Sequence, residues 1–402
     1  MTSTGQPVRD RIVGIETIQP DDHPNLIFVR VRTSGGLVGT GDTFYGPGAV
    51  ASYVHDVIAP RLLGQDATTI ERHWDSLATK GFARWGGVGA ELRALSAIDV
   101  ALWDIAGQAM GVPVHRLLGG LAHDRMPTYN TCGGPSYGRS GRVAGTDDPT
   151  GPLDDLWAQR HAPADLARSL LDEGITAMKI WPFDPIAKAN GGRRISAAEL
   201  AEGLAPIAAI RDAVGSDIDV MIEGHGYWDL ATAKKIATAL EPYEPAWLED
   251  MVLGDDLESI AELAASTPIP VIASEMIVTR SQYRRLLEQR ASDLVMIDPT
   301  WVGGITETRK ITVLAEAYGR SVAMHDCTGP FTLMAGLHVA LSAPNAIYQE
   351  SVRAYLRTWY TDLTEGDLTV VDGHFLPPTA PGIGLSLAPG ATDGAVVRTS
   401  RA

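Results

Sequence analysis

DVMIEGHG (219–226), PAWLED (245–250) and PVIASEM (270–276) are the stretches on which the reading of the fold turns. Each is a short apolar run ending in a glutamate: Glu223, Glu249 and Glu275. Both steps between them are 26 residues long, about one strand–turn–helix unit of a parallel barrel. The equal spacing predicts three carboxylates at the same height on neighbouring strands. Any single glutamate is ordinary at a strand end or in a first helical turn. Three together would repel one another unless a cation sits between them, and an all-oxygen set suits Mg²⁺ better than Zn²⁺.

The same rhythm extends in both directions. Apolar runs ending near Cys132, Trp181, Asp298, His325 and Glu350 bring the count to eight strands. Between them lie amphipathic segments at 163–173, Ala197–Val214, Leu230–Leu240 and 305–318. Ser196 and Glu199 form a capping box, and Thr328-Gly329-Pro330 marks another helix start. Eight such alternations fit a closed parallel barrel. A doubly wound open sheet is the alternative, but no glycine-rich phosphate fingerprint follows the first strand. Residues 135–152, rich in Gly, Ser and Asp, read as an irregular insertion after strand one.

Ahead of the barrel the pattern differs. Ile12–Gln19, Leu26–Thr33 and 37–42 read as strands, and 49–63, 67–79 and 92–110 as helices. The last has Leu95, Ile98, Leu102 and Ile105 on one face and is stopped by Gly111 and Pro113. This is an α+β domain over 1–125, followed by the barrel over 126–360. Short strands and turns in 361–402 are expected to pack back on the first domain.

The 402 residues carry 49 acidic and 33 basic side chains, a net charge of −16. That balance disfavours nucleic acid and anionic membrane as partners. An anionic substrate would need a local source of positive charge, which a metal supplies. Two cysteines, Cys132 and Cys327, are too few for a disulfide framework. Neither a signal peptide nor a bilayer-length apolar run is recognisable. A cytoplasmic protein is expected, assembled as a homo-oligomer and acting on a small-molecule carboxylate.

The other strand ends are also polar. An aspartate beside a histidine can hold its tautomer and raise its basicity, so Asp298 and His325 make a candidate general base pair. His225 lies two residues past Glu223, and period-two alternation points it to the same side. Strands three and seven are opposite in an eight-membered ring, so His225 and His325 could flank a substrate. Lys179 adds a cation near the end of strand two.

These residues resemble the mandelate racemase subgroup of the enolase superfamily over nearly the whole chain. SAIDVALWDIAGQAMGVPVHRLLGG (96–120) is similar to the helix signature of that subgroup's capping domain. The resemblance implies a (β/α)7β modified TIM barrel with an N-terminal α+β capping domain. Glu223, Glu249 and Glu275 take the metal-ligand places, and Asp298 and His325 those of the Asp-His dyad. Glu350 matches the acid that hydrogen-bonds the substrate carboxylate. A histidine two places after the first ligand is similar to the galactonate and gluconate type of sugar-acid dehydratase, where it helps the β-hydroxyl leave.

The chain departs from the subgroup at Trp181, which stands where racemases keep a second lysine, and this argues against lysine-based racemisation or cycloisomerisation. It departs also at Glu249-Asp250-Met251, where Glu-Glu-Pro is usual, and at Glu223, where Asp is more usual. The implied activity is Mg²⁺-dependent dehydration of an aldonate to a 2-keto-3-deoxy acid. His325 would be the base at C2 and His225 the acid at the C3 hydroxyl, with Lys179 and Glu350 assisting. Epimerisation of a 2-hydroxy acid and a non-catalytic metal-binding role are the alternatives. Specificity is expected from the loops at 20–25 and 44–47, with Tyr45 and Trp181 as candidate substrate-binding wall residues.

Overall fold

Strands β1 (Ile12–Gln19), β2 (Leu26–Thr33) and β3 (Val38–Phe44) form an antiparallel meander in this computed structural model, which describes residues 10–82, 87–137 and 151–402. Alternation on β2 serves two cores. Ile27, Val29 and Val31 pack into that of the first domain, whereas Leu26 and Phe28 join the larger core shared with the barrel. The 21-residue helix Ala90–Met110 lies against β3 and ends on Gly111, whose φ of 68° supplies the left-handed cap. Gly39 and Gly41 permit that close approach, since a Cβ on either would strike the carbonyl of Ala101 or Ala97. The final strand, Val396–Arg401, pairs with β1 at the edge of this sheet.

The barrel strands are β4 (Met126–Thr131), β5 (Ala177–Ile180), β6 (Asp219–Glu223), β7 (Trp247–Glu249), β8 (Val271–Ile272), β9 (Leu294–Ile297), β10 (Ser321–Met324) and β11 (Ala346–Ser351). They run parallel in the order β8-β7-β6-β5-β4-β11-β10-β9, and a bridge between Ala273 and Val295 joins the two ends. Tyr129, Met221, Trp247, Ile272, Met296 and Ala323 form one small core. Their strand neighbours Met178, Val220, Ile222, Leu248, Val271, Val295 and Val322 belong to the large core. Period-two alternation thus fills the barrel and coats it at once. Helices Pro163–Asp172, Ala197–Val214, Leu230–Leu240 and Ile305–Ala317 agree with the amphipathic segments to within a residue, and Pro330–Ser342 begins at the helix start marked by Thr328-Gly329-Pro330. Both halves of the Ser196–Glu199 capping box are formed. Most of the insertion at 135–152 lies outside the described residues.

One expectation from the spacing is corrected. Glu223 sits opposite Glu249 in register, but Glu249 sits opposite Ile272. Glu275 therefore stands three residues further along, and equal height holds only for the first pair. The cause is local. Asp250 accepts hydrogen bonds from the Ser274 backbone N–H at 3.0 Å and from its hydroxyl at 2.6 Å, so a side chain takes the place of the ladder after β8.

The first domain also closes helix ends of the barrel. Asp42 on β3 accepts from the backbone N–H groups of Phe331 and Thr332, both at 2.9 Å, at the start of Pro330–Ser342. Asp99 accepts from Thr306 N–H at 3.0 Å at the start of Ile305–Ala317, and Ser96 from Gly303 N–H at 2.9 Å. Asp104 accepts from Thr40 N–H at 3.0 Å and from Ile383 N–H at 2.9 Å, tying in the C-terminal segment. Orphan donors of helix first turns thereby find acceptors across the seam. No helix among the described residues is long and apolar enough to cross a membrane.

Candidate active site

A cavity of about 140 Å³ opens at the C-terminal mouth of the barrel. Lys179, Trp181, Glu223, His225, Glu275 and His325 line it from the barrel, and Phe44 and Tyr45 from the cap. Seven of the residues singled out in the sequence therefore meet at one place. Glu249, Asp298 and Glu350 do not line it; all three are completely buried beneath the wall.

Lys179 is the hub of the floor. Its ammonium lies 2.5 Å from Glu249 Oε1, 3.1 Å from Glu350 Oε1 and 3.4 Å from Glu223 Oε2. Burial alone would lower its pKa, but Glu249 and Glu350 outweigh that and raise it well above the ordinary lysine value. Burial pushes Glu249 and Glu223 upwards, Lys179 offsetting part of the effect in each. Glu249 also accepts from Trp247 Nε1 at 2.9 Å. Glu350 accepts from Thr131 Oγ1 and, at 3.0 Å, from Asp326 N–H, so its oxygens are occupied from within the wall. Glu275, at the rim, competes with Asp250 for the Ser274 hydroxyl, which lies within hydrogen-bond distance of both carboxylates and can donate to only one at a time.

One lysine cannot neutralise this many buried carboxylates, and uncompensated buried charge is costly. The oxygen-only donor set of Glu223, Glu249 and Glu275 therefore fits a hard divalent cation. Among the described residues, the metal-capable atoms already converged within 4.8 Å belong to His325, Cys327 and Glu350. The ladder glutamates Glu223 and Glu249 gather instead on Lys179.

The two histidines stand on opposite sides of the ring, after β6 and β10. His325 Nδ1 is 2.8 Å from Asp298 Oδ2, which also accepts from Thr328 Oγ1 at 2.7 Å. Its Nε2 is 3.6 Å from Glu275 Oε2 and 3.8 Å from Glu350 Oε2. Burial would lower the His325 pKa, but Glu275 and Glu350, with Asp298, raise it well above the usual histidine value.

His225 reaches the cavity by a route other than strand alternation. β6 ends at Glu223, and His225 has φ of 47°, a left-handed turn held by its own N–H donating to Glu223 Oε1 at 2.7 Å. The ring lies 5.7 Å from Trp181 and its Nε2 3.5 Å from Tyr137 Oη. Its Nδ1 is 2.9 Å from Asp184 Oδ2, an ion-pair distance at an angle short of a formed hydrogen bond. Burial would lower this pKa too, yet Glu223 and Asp184 push it up to about 9.

Trp181 is buried directly after β5, 5.3 Å from Tyr137. Tyr45 is half-exposed, also left-handed at φ 66°, and packs 6.0 Å from Trp301. The Arg93 guanidinium stacks 3.8 Å from Trp301. Of the two loops expected to shape the pocket, 44–47 contributes Phe44 and Tyr45. No residue of 20–25 lines the cavity, since that turn folds down until His23 packs 4.8 Å from Trp359.

Sequence reasoning missed Thr131, Tyr137, Trp301, Cys327 and Thr328 in the wall, and Asp184 behind His225. Cys327 and Thr328 could have been found, because they follow His325 directly at a strand end. Tyr137 comes from an irregular loop and carries no periodic signal.

Residues 162–391 match the family described as enolase C-terminal domain-like, and residues 11–119 the mandelate racemase / muconate lactonizing enzyme N-terminal domain. The chain belongs to the enolase superfamily, with the two-domain composition of its mandelate racemase / muconate lactonizing enzyme branch. It is 33% identical over 375 residues to a D-galactonate dehydratase of Ralstonia nicotianae, covering 90% of this chain and 89% of that one. A D-xylonate dehydratase of Haloferax volcanii is 30% identical over 391 residues, covering 94% and 88%. A crystal structure of an enolase protein from Sargasso Sea environmental shotgun sequencing is 40% identical with a TM-score of 0.87, over 98% and 99% of the two chains.

Proposed function

We propose that this protein is a Mg²⁺-dependent dehydratase of an aldonate, a hydro-lyase giving a 2-keto-3-deoxy acid. The observation that carries the reading is the pair of histidines that follow opposite strands β6 and β10, each with Nδ1 against a carboxylate and both lining one cavity. The similarity to galactonate and xylonate dehydratases supports it.

Glu223, Glu249 and Glu275 would hold the metal, which when bound stabilises the negative charge that develops on the substrate carboxylate. His325, steadied by Asp298, takes the C2 proton at Nε2. His225 gives a proton to the C3 hydroxyl, which leaves as water, and the resulting enol tautomerises to the keto acid. Lys179 supplies fixed positive charge at the floor, and Glu350 keeps that ammonium in place. Trp181 and Tyr45 are apolar faces for the carbon chain, and Trp181 excludes water between β5 and His225. The reading treats 1–125 as the cap, 126–360 as the catalytic barrel and 361–402 as a segment closing back on the cap. It brings with it a cytoplasmic setting and a homo-oligomer, which fractionation and light scattering would check.

A screen of acid sugars with Mg²⁺, read by a keto-acid assay, tests the proposal. Keto acid from at least one aldonate is expected. Epimerisation is the competing reading, because two opposed bases would serve it equally. Interconversion of C2 epimers with no keto acid from any of them would replace the first reading with the second.

A further inference from the structure

We infer that Asp184 is a positioning residue for His225, so that the cavity is served by two carboxylate–histidine pairs rather than one. The inference rests on the acid role proposed for His225. Asp184 opens the helix Asp184–Asn190, just beyond β5, and is 1% exposed. Its Oδ2 lies 2.9 Å from His225 Nδ1, against 2.8 Å for Asp298 Oδ2 and His325 Nδ1. Its Oδ1 is buried with no hydrogen-bond partner among the described residues. A buried carboxylate half-satisfied in this way is expensive, and beside an imidazole it has one evident use. Lys188, four residues on, approaches Oδ2 only to 3.4 Å and is itself 36% exposed, so it does not account for the placement.

The geometry fixes which nitrogen can act. With Nδ1 turned to Asp184, the labile proton is delivered from Nε2, the atom that lies 3.5 Å from Tyr137 Oη in the cavity wall. His225 has a second need for such a holder. Its backbone is in the left-handed region on a loop, not on a strand, so no ladder sets the direction of its ring. His325, by contrast, directly follows β10 and donates its N–H to Ile297 O at 2.9 Å.

The test uses full-length protein with ¹⁵N-labelled histidine, metal-loaded, and the variants Asp184→Asn, Asp184→Ala and Asp184→Glu. His225 resonances, assigned by their loss in His225→Gln, should show the proton on Nδ1 in the wild type and should shift in Asp184→Ala. Keto-acid kcat should fall roughly 10- to 100-fold in Asp184→Asn, less than the roughly 10²–10⁴-fold that a positioned acid itself contributes, because Asp184 acts through His225. Exchange of the C2 proton and KM should stay within about twofold, and Asp184→Glu should recover part of the loss. Unchanged His225 shifts in Asp184→Ala would overturn the inference. So would equal loss of exchange and elimination in Asp184→Asn with no recovery in Asp184→Glu. If the wild type makes no keto acid while the His225 shifts still answer to Asp184, the pairing stands and the dehydratase reading fails.

Discussion

Asp42, Asp99 and Asp104 at the cap–barrel seam are about as deeply buried as Glu223, Glu249 and Glu350 at the barrel mouth, yet the two sets meet different partners. The seam aspartates face backbone N–H groups and hydroxyls. Burial dominates there, raising Asp42 and Asp99 to about 7 and Asp104 to about 6. The mouth glutamates face Lys179 and two histidines, and they crowd one another. At the seam, Asp42 and Asp99 cap barrel helices, and Asp104 ties in the C-terminal segment. At the mouth, negative charge exceeds positive charge. Burial of an acid therefore says little about chemistry; what it is buried against separates a clasp from a reaction site.

The largest effect that would sharpen this contrast is loss of the metal. Chelation should abolish turnover and added Mg²⁺ should restore it, while Glu249→Gln should weaken Mg²⁺ binding in calorimetry. Full activity after exhaustive chelation would break the account of the mouth, and an unchanged affinity would remove Glu249 from the ligand set.

Next in size is the base. His325→Asn should slow C2 proton exchange with solvent deuterium by roughly 10²–10⁴-fold, the usual contribution of a positioned general base. The melting temperature should barely move, since the seam is untouched. A loss below about 10-fold would reject the assignment.

Asp42→Asn should behave in the reverse way. An amide there turns an N–H donor towards Phe331 or Thr332 N–H, so roughly 1–3 kcal/mol of stability should go, with Mg²⁺ affinity intact. A variant as stable as the wild type would mean that the seam carboxylate is not a clasp.

The smallest effect is in pH. A carboxyl whose folded pKa lies above its unfolded value binds its proton more tightly when folded. Its contribution to stability is complete below about pH 4 and is lost as pH climbs through the folded value, about 7 for Asp42. Melting temperature should therefore decline from pH 5 to pH 8, less steeply in Asp42→Asn. Equal slopes in the two proteins would remove Asp42 from that dependence.

Much of this was legible in the residues. Barrel strands are short apolar runs, and their alternation with amphipathic helices survives in any one sequence. Glu223, Glu249, Asp298, His325 and Glu350 sit at strand ends, where position follows from the strand. The misses fall where side chains, and not ladders, set the backbone. Ser274 is drawn to Asp250, so Glu275 is carried out of register, and His225 enters through a left-handed turn. Asp184 reads as an ordinary acid in a first helical turn, and only the fold brings it to His225. Likewise Ser96, Asp99 and Asp104 lie in the stretch that carried the resemblance, but their service to another domain's backbone is invisible until the seam is assembled.

The central claim is that His225 and His325 perform different steps, and solvent-deuterium incorporation at C2, followed by NMR, tests it most directly. Wild type and His225→Gln would be compared on both C2 epimers of an accepted acid sugar. The account predicts keto acid from the wild type, none from His225→Gln, and C2 exchange surviving in the variant because His325 is intact. Interconversion of epimers by the wild type without keto acid, together with loss of exchange for one epimer only in His225→Gln, would contradict it.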